Sequence, residues 1–259
     1  MSACPVANAK RCGTGVEMNK ISCHNARACP AVALAKADDM LVVYTRVFSQ
    51  PCYHEIVKFL IGVDEAGRGP LAGPVAIGAV MVPKKFDVLK MFPDVKDSKL
   101  LSPKKREEIY EEVVARTKAG EMRFCVRFTE HTFIDAYGIT RAVRRAVQRS
   151  VSNLVPRHGS GQAPSPQNVH VFLDGLLYAP SKYEQETIIH GDVLVPLISL
   201  ASVVAKVRRD RLMISLSNKF PSYGFETHKG YGTERHRAAL REFGLCEIHR
   251  VTYCTSLLK

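Results

Sequence analysis

From residue 56 onward the chain alternates between short apolar runs and stretches whose apolar positions recur at helical spacing. Residues 57–63 and 75–82 read as strands joined by the turn Gly67 to Pro74, and residues 122–128 and 169–173 read as two more. Ser102-Pro103 is an N-cap followed by a first-turn proline, which opens a helix ending near Lys118. Between residues 129 and 154, Ile139, Val143, Ala146, Val147, Val151 and Leu154 form one helical stripe. Arg141, Arg144, Arg145 and Arg149 lie on its far side, a basic face that reads as solvated or, alternatively, as a phosphate contact. Residues 156–167 hold three prolines among Gly and Ser and read as an exposed loop. Residues 199–218 read as a helix, and the stretch from 221 as a loop followed by a helix at 234–243. Strands interleaved with helices predict an α/β core.

The first 54 residues lack this periodicity. They are rich in Ala, Cys, Asn and Ser, and only the apolar run at 40–44 is suited to adding a strand or short helix. The expected organisation is therefore a poorly structured basic extension at 1–54 and a folded domain at 55–259. Lys10, Arg11, Lys20, Arg27, Lys36 and Arg46 spread through small residues as in an organellar transit peptide, but Glu17, Asp38 and Asp39 weaken that match. Five of the eight cysteines precede residue 55 and none forms a C-x-x-C pair, so the reading is reduced thiols in an intracellular protein. A mitochondrial or other organellar location and a nuclear or cytoplasmic one both stay open.

Charge narrows the partners. The 259 residues carry 37 Lys+Arg against 25 Asp+Glu, a formal charge of +12, and +9 of it remains on the folded part. Such a surplus favours polyanions, because each cation that neutralises a phosphate releases a condensed counterion. Nucleic acid is the first partner to test, beside the plainer reading of a basic enzyme kept dispersed by its charge. No window approaches 18 consecutive apolar residues, so no membrane span is expected.

The most informative segment is Ile61-Gly-Val-Asp64-Glu65-Ala-Gly67-Arg68-Gly69-Pro70-Leu-Ala-Gly73-Pro74. An apolar strand ending in two acids puts a carboxylate where catalytic groups of α/β folds project. Side chains alternate along a strand, so Asp64 and Glu65 share a site only if the chain bends there, and the following glycines are expected to supply the bend. Neither G-x-G-x-x-G nor a Walker pattern is present, which removes a nucleotide cofactor. Asp174-Gly175 repeats the strand-acid-turn design, and Ser202, Lys206 and Asp210 fall at i, i+4 and i+8 on one helix face. Two ionised carboxylates ~4 Å apart repel by ~4 kcal/mol at an effective dielectric of about 20. A cluster of four therefore needs protons or cations, and Mg²⁺ or Mn²⁺ meets that need with oxygen ligands alone.

At this point the residues resemble ribonuclease HII. The blocks Asp64-Glu-Ala-Gly-Arg-Gly-Pro-Leu-Ala-Gly-Pro, Asp97-Ser-Lys99-Leu-Leu-Ser-Pro, Asp174-Gly, Ala201-Ser-Val-Val-Ala-Lys206-Val-Arg-Arg-Asp210-Arg and Tyr223-Gly-Phe-Glu-Thr-His-Lys229-Gly-Tyr231-Gly-Thr stand in that family's order. The first block is the most specific, and the whole is closer to the single-chain bacterial form than to the eukaryotic three-subunit enzyme. The resemblance implies a ribonuclease H-like fold, a mixed central sheet flanked by helices with a helical C-terminal extension.

It also implies an endoribonuclease that hydrolyses RNA in RNA/DNA hybrids and cuts 5′ of ribonucleotides embedded in duplex DNA. Asp64, Glu65, Asp174 and Asp210 become the catalytic, metal-binding carboxylates for two Mg²⁺ or Mn²⁺ ions. Gly67, Arg68, Gly69 and Tyr231 become contacts to the ribose 2′-hydroxyl, and Lys99 and Lys206 phosphate-handling groups. The expected partners are RNA/DNA hybrid and ribonucleotide-containing duplex DNA, bound by a monomer. The alternative is a catalytically weak homologue that only binds hybrids. Ribonuclease HIII shares the fold but usually ends its ligand set with Glu, where this chain has Asp210. Departures from the bacterial pattern are Val193-Leu194 after Asp192, the apolar Leu176-Leu177 after Asp174-Gly175, and the long 156–167 loop.

Overall fold

A computed structural model describes residues 56–95, 100–155, 164–255 and 257. The extension at 1–54, the Asp97-Ser98-Lys99 block and most of the 156–167 loop lie outside these described residues. Five strands make one sheet: β1 (Phe59–Ala66), β2 (Val75–Pro83), β3 (Arg123–Thr129), β4 (Val169–Asp174) and β5 (Glu184–Ile188). Their spatial order is β3-β2-β1-β4-β5. β1 to β3 form an antiparallel meander, whereas β4 runs parallel to β1 and β5 parallel to β4. The helices are α1 (Val88–Met91), α2 (Pro103–Lys118), α3 (His131–Tyr137), α4 (Ile139–Leu154), α5 (Gly191–Leu194), α6 (Pro196–Ser217), α7 (Phe225–His228), α8 (Glu234–Phe243) and α9 (Val251–Cys254).

Alternation along the strands builds two cores, one on each face of the sheet. Leu60, Val80, Val82 and Phe172 face a core completed by α1, α2 and α6, while Ile61, Val63, Ile77, Val171 and Leu173 face one completed by α4. Burial on both faces explains why these strands read as continuous apolar runs. Ser102 caps α2 by accepting from Lys105 N–H at 3.2 Å. Arg141, Arg144, Arg145 and Arg149 are exposed on α4, as the pattern predicted. A third core of Ala72, Met213, Tyr223, Phe225, Leu240 and Ile248 joins the end of α6 to the C-terminal helices. Asp135 on α3 accepts from Val251 N–H and Thr252 N–H at 2.9 and 3.0 Å, pinning the start of α9. Among the described residues no helix is long and apolar enough to cross a membrane.

The structure departs from the sequence reading in two places. β5 was not foreseen: its sequence Glu-Gln-Glu-Thr-Ile is polar because an edge strand with exposed side chains has no apolar rhythm. The stripe read at Ile139 to Leu154 lies whole on α4, and the separate short helix α3 stops before it at Gly138, where φ is 81°. β1 does not bend at its acids but stays paired through Ala66, with Glu65 opposite Ile77.

The contact that positions the site is between α6 and the sheet. A Cβ on Gly62 would overlap the Leu197 carbonyl, and one on Gly78 the Ala201 carbonyl. These absent side chains let α6 lie directly on β1 and β2. Because Gly62 meets Leu197 while Gly67 meets Arg209, the helix advances in the same direction as β1. It thereby brings its later residues to the end of the strand that carries the acids. Gly78→Ala is expected to destabilise the protein by about 1–3 kcal/mol, the usual cost of overpacking. The shift in urea midpoint at unchanged slope measures it.

Candidate active site

Register brings two acids together. β1 and β4 are parallel neighbours with Val63 paired to Leu173, so Asp64 and Asp174 follow side by side, on the face covered by α6. Asp64 is buried, Asp174 half-buried, and Asp64 Oδ1 accepts from Glu65 N–H at 2.7 Å. Glu65 points initially to the other face, but β4 ends at Asp174, which leaves its longer side chain room to lean across the sheet end. One oxygen from each of Asp64, Glu65 and Asp174 lies within 4.8 Å of the others.

Electrostatics follow from that crowding. Burial raises the Asp64 pKa well above the ordinary carboxylate range, and the charges of Asp174 and Glu65 raise it further, against a Ser202 hydrogen bond that lowers it. Glu65 is also raised by burial, partly offset by Arg68, whose Nη1 lies 3.2 Å from Oε1. The other oxygen, Glu65 Oε2, is buried and accepts no hydrogen bond among the described residues. An all-oxygen set with a buried, unpartnered acceptor and mutual repulsion fits a hard divalent cation.

Asp210 does not join this group. It sits one helical turn beyond Lys206, whose ammonium contacts both its oxygens at 2.7 Å. Burial depresses the Lys206 pKa, and the Asp210 partner works against that shift. Lys99 lies outside the described residues.

The Gly67-Arg68-Gly69 loop is held from behind by two completely buried arginines. Arg250 donates to the carbonyls of Gly67 at 2.7 Å, Arg68 at 2.9 Å and Gly73 at 3.0 Å. Arg209 donates to the carbonyls of Pro74, Lys229 and Ala72 at 3.0 to 3.2 Å. Gly67 has φ +88°, and a Cβ there would overlap the Arg209 guanidinium, so glycine is required at this position. Since every described peptide bond is trans, carbonyls turned inward at Gly67 and Arg68 turn the N–H groups of Arg68 and Gly69 outward. Tyr231 joins the same assembly: its ring lies over Arg209 at 5.9 Å, and Leu71 N–H donates to the adjacent Gly230 carbonyl at 2.8 Å. At 42% exposure Tyr231 is not packed away in the core.

Comparison with known proteins agrees with this geometry. The family model "Ribonuclease HII" matches residues 61–256. The chain is 42% identical over 196 residues to ribonuclease HII of Burkholderia thailandensis, covering 76% of this chain and 83% of that one. It is 38% identical over 205 residues to the enzyme of Caldicellulosiruptor bescii, covering 79% and 91%.

The chain belongs to the ribonuclease HII family.

Among solved structures it is similar in fold to RNase HII of Archaeoglobus fulgidus, seen in a complex with PCNA, at TM-score 0.60 and 24% identity over 77% of this chain and 97% of that one. Bst-RNase HIII in complex with Mn2+ matches at TM-score 0.57 and 16% identity, over 81% and 74%. The family is one of metal-dependent ribonucleases, and the three-acid group supplies oxygen donors for a metal. Within this ribonuclease HII chain, sequence reasoning missed Arg209 and Arg250 as the support of the loop. Arg209 had a readable signal: it is seven residues after Ser202 and four before Met213, on the buried side of the helix. Arg250 had none, because its partners are backbone carbonyls more than 170 residues away.

A raised carboxylate pKa in the folded state means that the charged form destabilises the native protein at neutral pH, a penalty that fades as pH falls through the raised value. Asp64→Asn keeps the acceptor for Glu65 N–H and removes one charge. It is expected to raise the metal-free thermal midpoint by roughly 2–4 °C, the response of a domain this size to about 1 kcal/mol. Mn²⁺ is expected to raise the midpoint of the native protein but not that of this variant, as read by calorimetry.

Proposed function

We propose that this protein is an endoribonuclease that hydrolyses the RNA strand of RNA/DNA hybrids and cuts 5′ of ribonucleotides embedded in duplex DNA, leaving 5′-phosphate and 3′-hydroxyl ends. The observation that carries the reading is the convergence of Asp64, Glu65 and Asp174 within 4.8 Å. They do so beside a glycine-arginine-glycine loop, in a member of the ribonuclease HII family. Mg²⁺ or Mn²⁺, two ions in the full reaction, would be held by these acids and would supply a water of lowered pKa and neutralise charge developing at the phosphorus.

The chain's own residues do the rest. Asp64 and Asp174, fixed by strand register, set the position of the scissile phosphate relative to the sheet end. Asp210 would serve as the fourth ligand in place of its Lys206 contact, and the Lys206 ammonium would then be available to a phosphate. The outward N–H groups of Arg68 and Gly69 bind the ribose 2′-hydroxyl, the group that separates RNA from DNA. Tyr231 stacks beside that ribose, and Lys99 holds a neighbouring phosphate. We read residues 1–54 as an appendage to this catalytic domain, and the protein as an intracellular monomer.

The test is cleavage of an end-labelled duplex with one ribonucleotide, titrated with Mg²⁺ and Mn²⁺. A cut on the 5′ side of the ribose is expected. Asp64→Asn and Asp174→Asn are expected to lower kcat by at least about 10²-fold, the scale of a lost transition-state contact, while hybrid affinity changes little. Full turnover by either variant would remove that residue from the mechanism, and hybrid binding without cleavage by the native chain would leave only a binding homologue. Gly69→Ala isolates recognition, because a Cβ there meets no protein atom within 4 Å. Its loss is therefore expected on single-ribonucleotide substrates more than on long hybrids, and equal losses on both would argue against junction sensing.

A further inference from the structure

Behind the Tyr231 loop lies a row of three buried imidazoles that the reaction above leaves unused: His228, His236 and His249. The rings of His228 and His236 stack with centroids 4.4 Å apart, and the Nε2 atoms of His236 and His249 are 3.0 Å apart. All six ring nitrogens have partners, and those partners fix the protons. Cys246 N–H donates to His249 Nδ1 at 2.9 Å, so the His249 proton sits on Nε2 and donates to His236 Nε2. His236 then carries its proton on Nδ1 and donates to the Tyr231 carbonyl at 2.9 Å. Independently, Gly230 N–H donates to His228 Nδ1 at 3.2 Å and His228 Nε2–H donates to the Tyr223 carbonyl at 2.8 Å.

The opposite direction fails on two contacts. It would turn His249 Nδ1–H toward Cys246 O at 3.2 Å, an oxygen that already accepts from His249 N–H, and would face two N–H groups at Cys246. It would also set two lone pairs against each other between His236 Nδ1 and the Tyr231 carbonyl. Metal binding is a poor account of the row, since among the described residues the three-carboxylate group alone has metal-ligand spacing. Burial depresses the pKa of all three rings, His249 to about 4, which keeps the row neutral.

We propose that His236 and His249 are positioning residues for Tyr231. Their directed hydrogen-bond chain, from Cys246 N–H through both rings to the Tyr231 carbonyl, sets the backbone from which the exposed tyrosine meets the ribose junction. The Tyr231 peptide is held from inside on both sides, because its N–H donates to the His228 carbonyl at 2.9 Å, and Thr233 N–H shares its carbonyl at 2.8 Å. The proposal rests on the reading of Tyr231 as a junction contact and adds what fixes its place.

The first measurement is the two-bond ¹⁵N–¹H spectrum of the histidines in the full chain near neutral pH. The Nδ1–H tautomer is expected for His236 and the Nε2–H tautomer for His228 and His249. A different tautomer or an imidazolium at His236 or His249 would overturn the chain. The second is kcat/KM on a single-ribonucleotide duplex and on a long RNA/DNA hybrid. His236→Phe keeps ring volume but removes the donor, and is expected to lose about five- to tenfold more on the single ribonucleotide, the worth of one hydrogen bond. His236→Asn, which restores an N–H near the Nδ1 position, is expected to recover most of that loss. If His236→Phe fails to fold, His249→Asn replaces it: this keeps an acceptor for Cys246 N–H, falls short of His236, and should show the same preference. Equal losses on both substrates would overturn the proposal. Tyr231→Ala separates the two readings. If it leaves discrimination unchanged, the junction role itself fails and the proposal with it; if it alters discrimination while His236→Phe does not, only the histidine chain fails.

Discussion

The close seat of α6 on the sheet is the constraint from which the site follows. Gly62 and Gly78 remove two side chains from the middle of the sheet, and the helix backbone fills the space. Everything useful on α6 is then placed by helical geometry. Ser202 reaches Asp64, one turn later Lys206 faces Asp210, and Arg209 passes behind Gly67. Raising the helix by the thickness of a methyl group would shift all of these at once, because a packed interior transmits strain rather than absorbing it.

Opposite charges stand back to back around the Gly67 loop. Two guanidiniums without a carboxylate in hydrogen-bond contact are buried behind the loop, which burial alone disfavours; it lowers the Arg209 pKa to about 10. Six carbonyl oxygens take the place of counterions. Charge-assisted hydrogen bonds of this kind stabilise by about 1.5–3 kcal/mol each, enough to hold a loop that has no regular structure of its own. The positive charge behind the loop also favours an approaching phosphate backbone, whereas the three acids at the sheet end favour a cation. A phosphodiester lying between the two meets both.

Much of this was legible in the sequence where chemistry is local. Four of the five strands, the Ser102 cap, the helix at 234–243 and the acids at the strand ends follow from alternation, capping and turn residues. Asp64 and Asp174 were legible as acids at strand ends, though only the parallel register shows that they are neighbours. The bend expected at Glu65 was unnecessary because β4 stops first, a fact about another strand. His249 and Arg250 stand in a segment that resembles the family but were given no role beyond backbone contact, and His236 was not singled out, because each acts on backbone groups brought near by the fold. Backbone partners leave no residue-type signature at any fixed spacing.

The separation of Asp210 from the other acids has an electrostatic reason. Lys206 is engaged by Asp210 and Arg68 by Glu65, while burial and the charges of Asp174 and Glu65 all raise the Asp64 pKa. A fourth ionised acid at the sheet end would raise that repulsion further in a dry place where it is least screened. Paired with Lys206, Asp210 is held apart from that crowding. Under the proposed function a divalent cation at the sheet end would ease the parting of this pair, since burial already disfavours the Lys206 cation. The ion pair is thus best understood as a resting arrangement, whose cost of separation falls as cation and polyanion enter together.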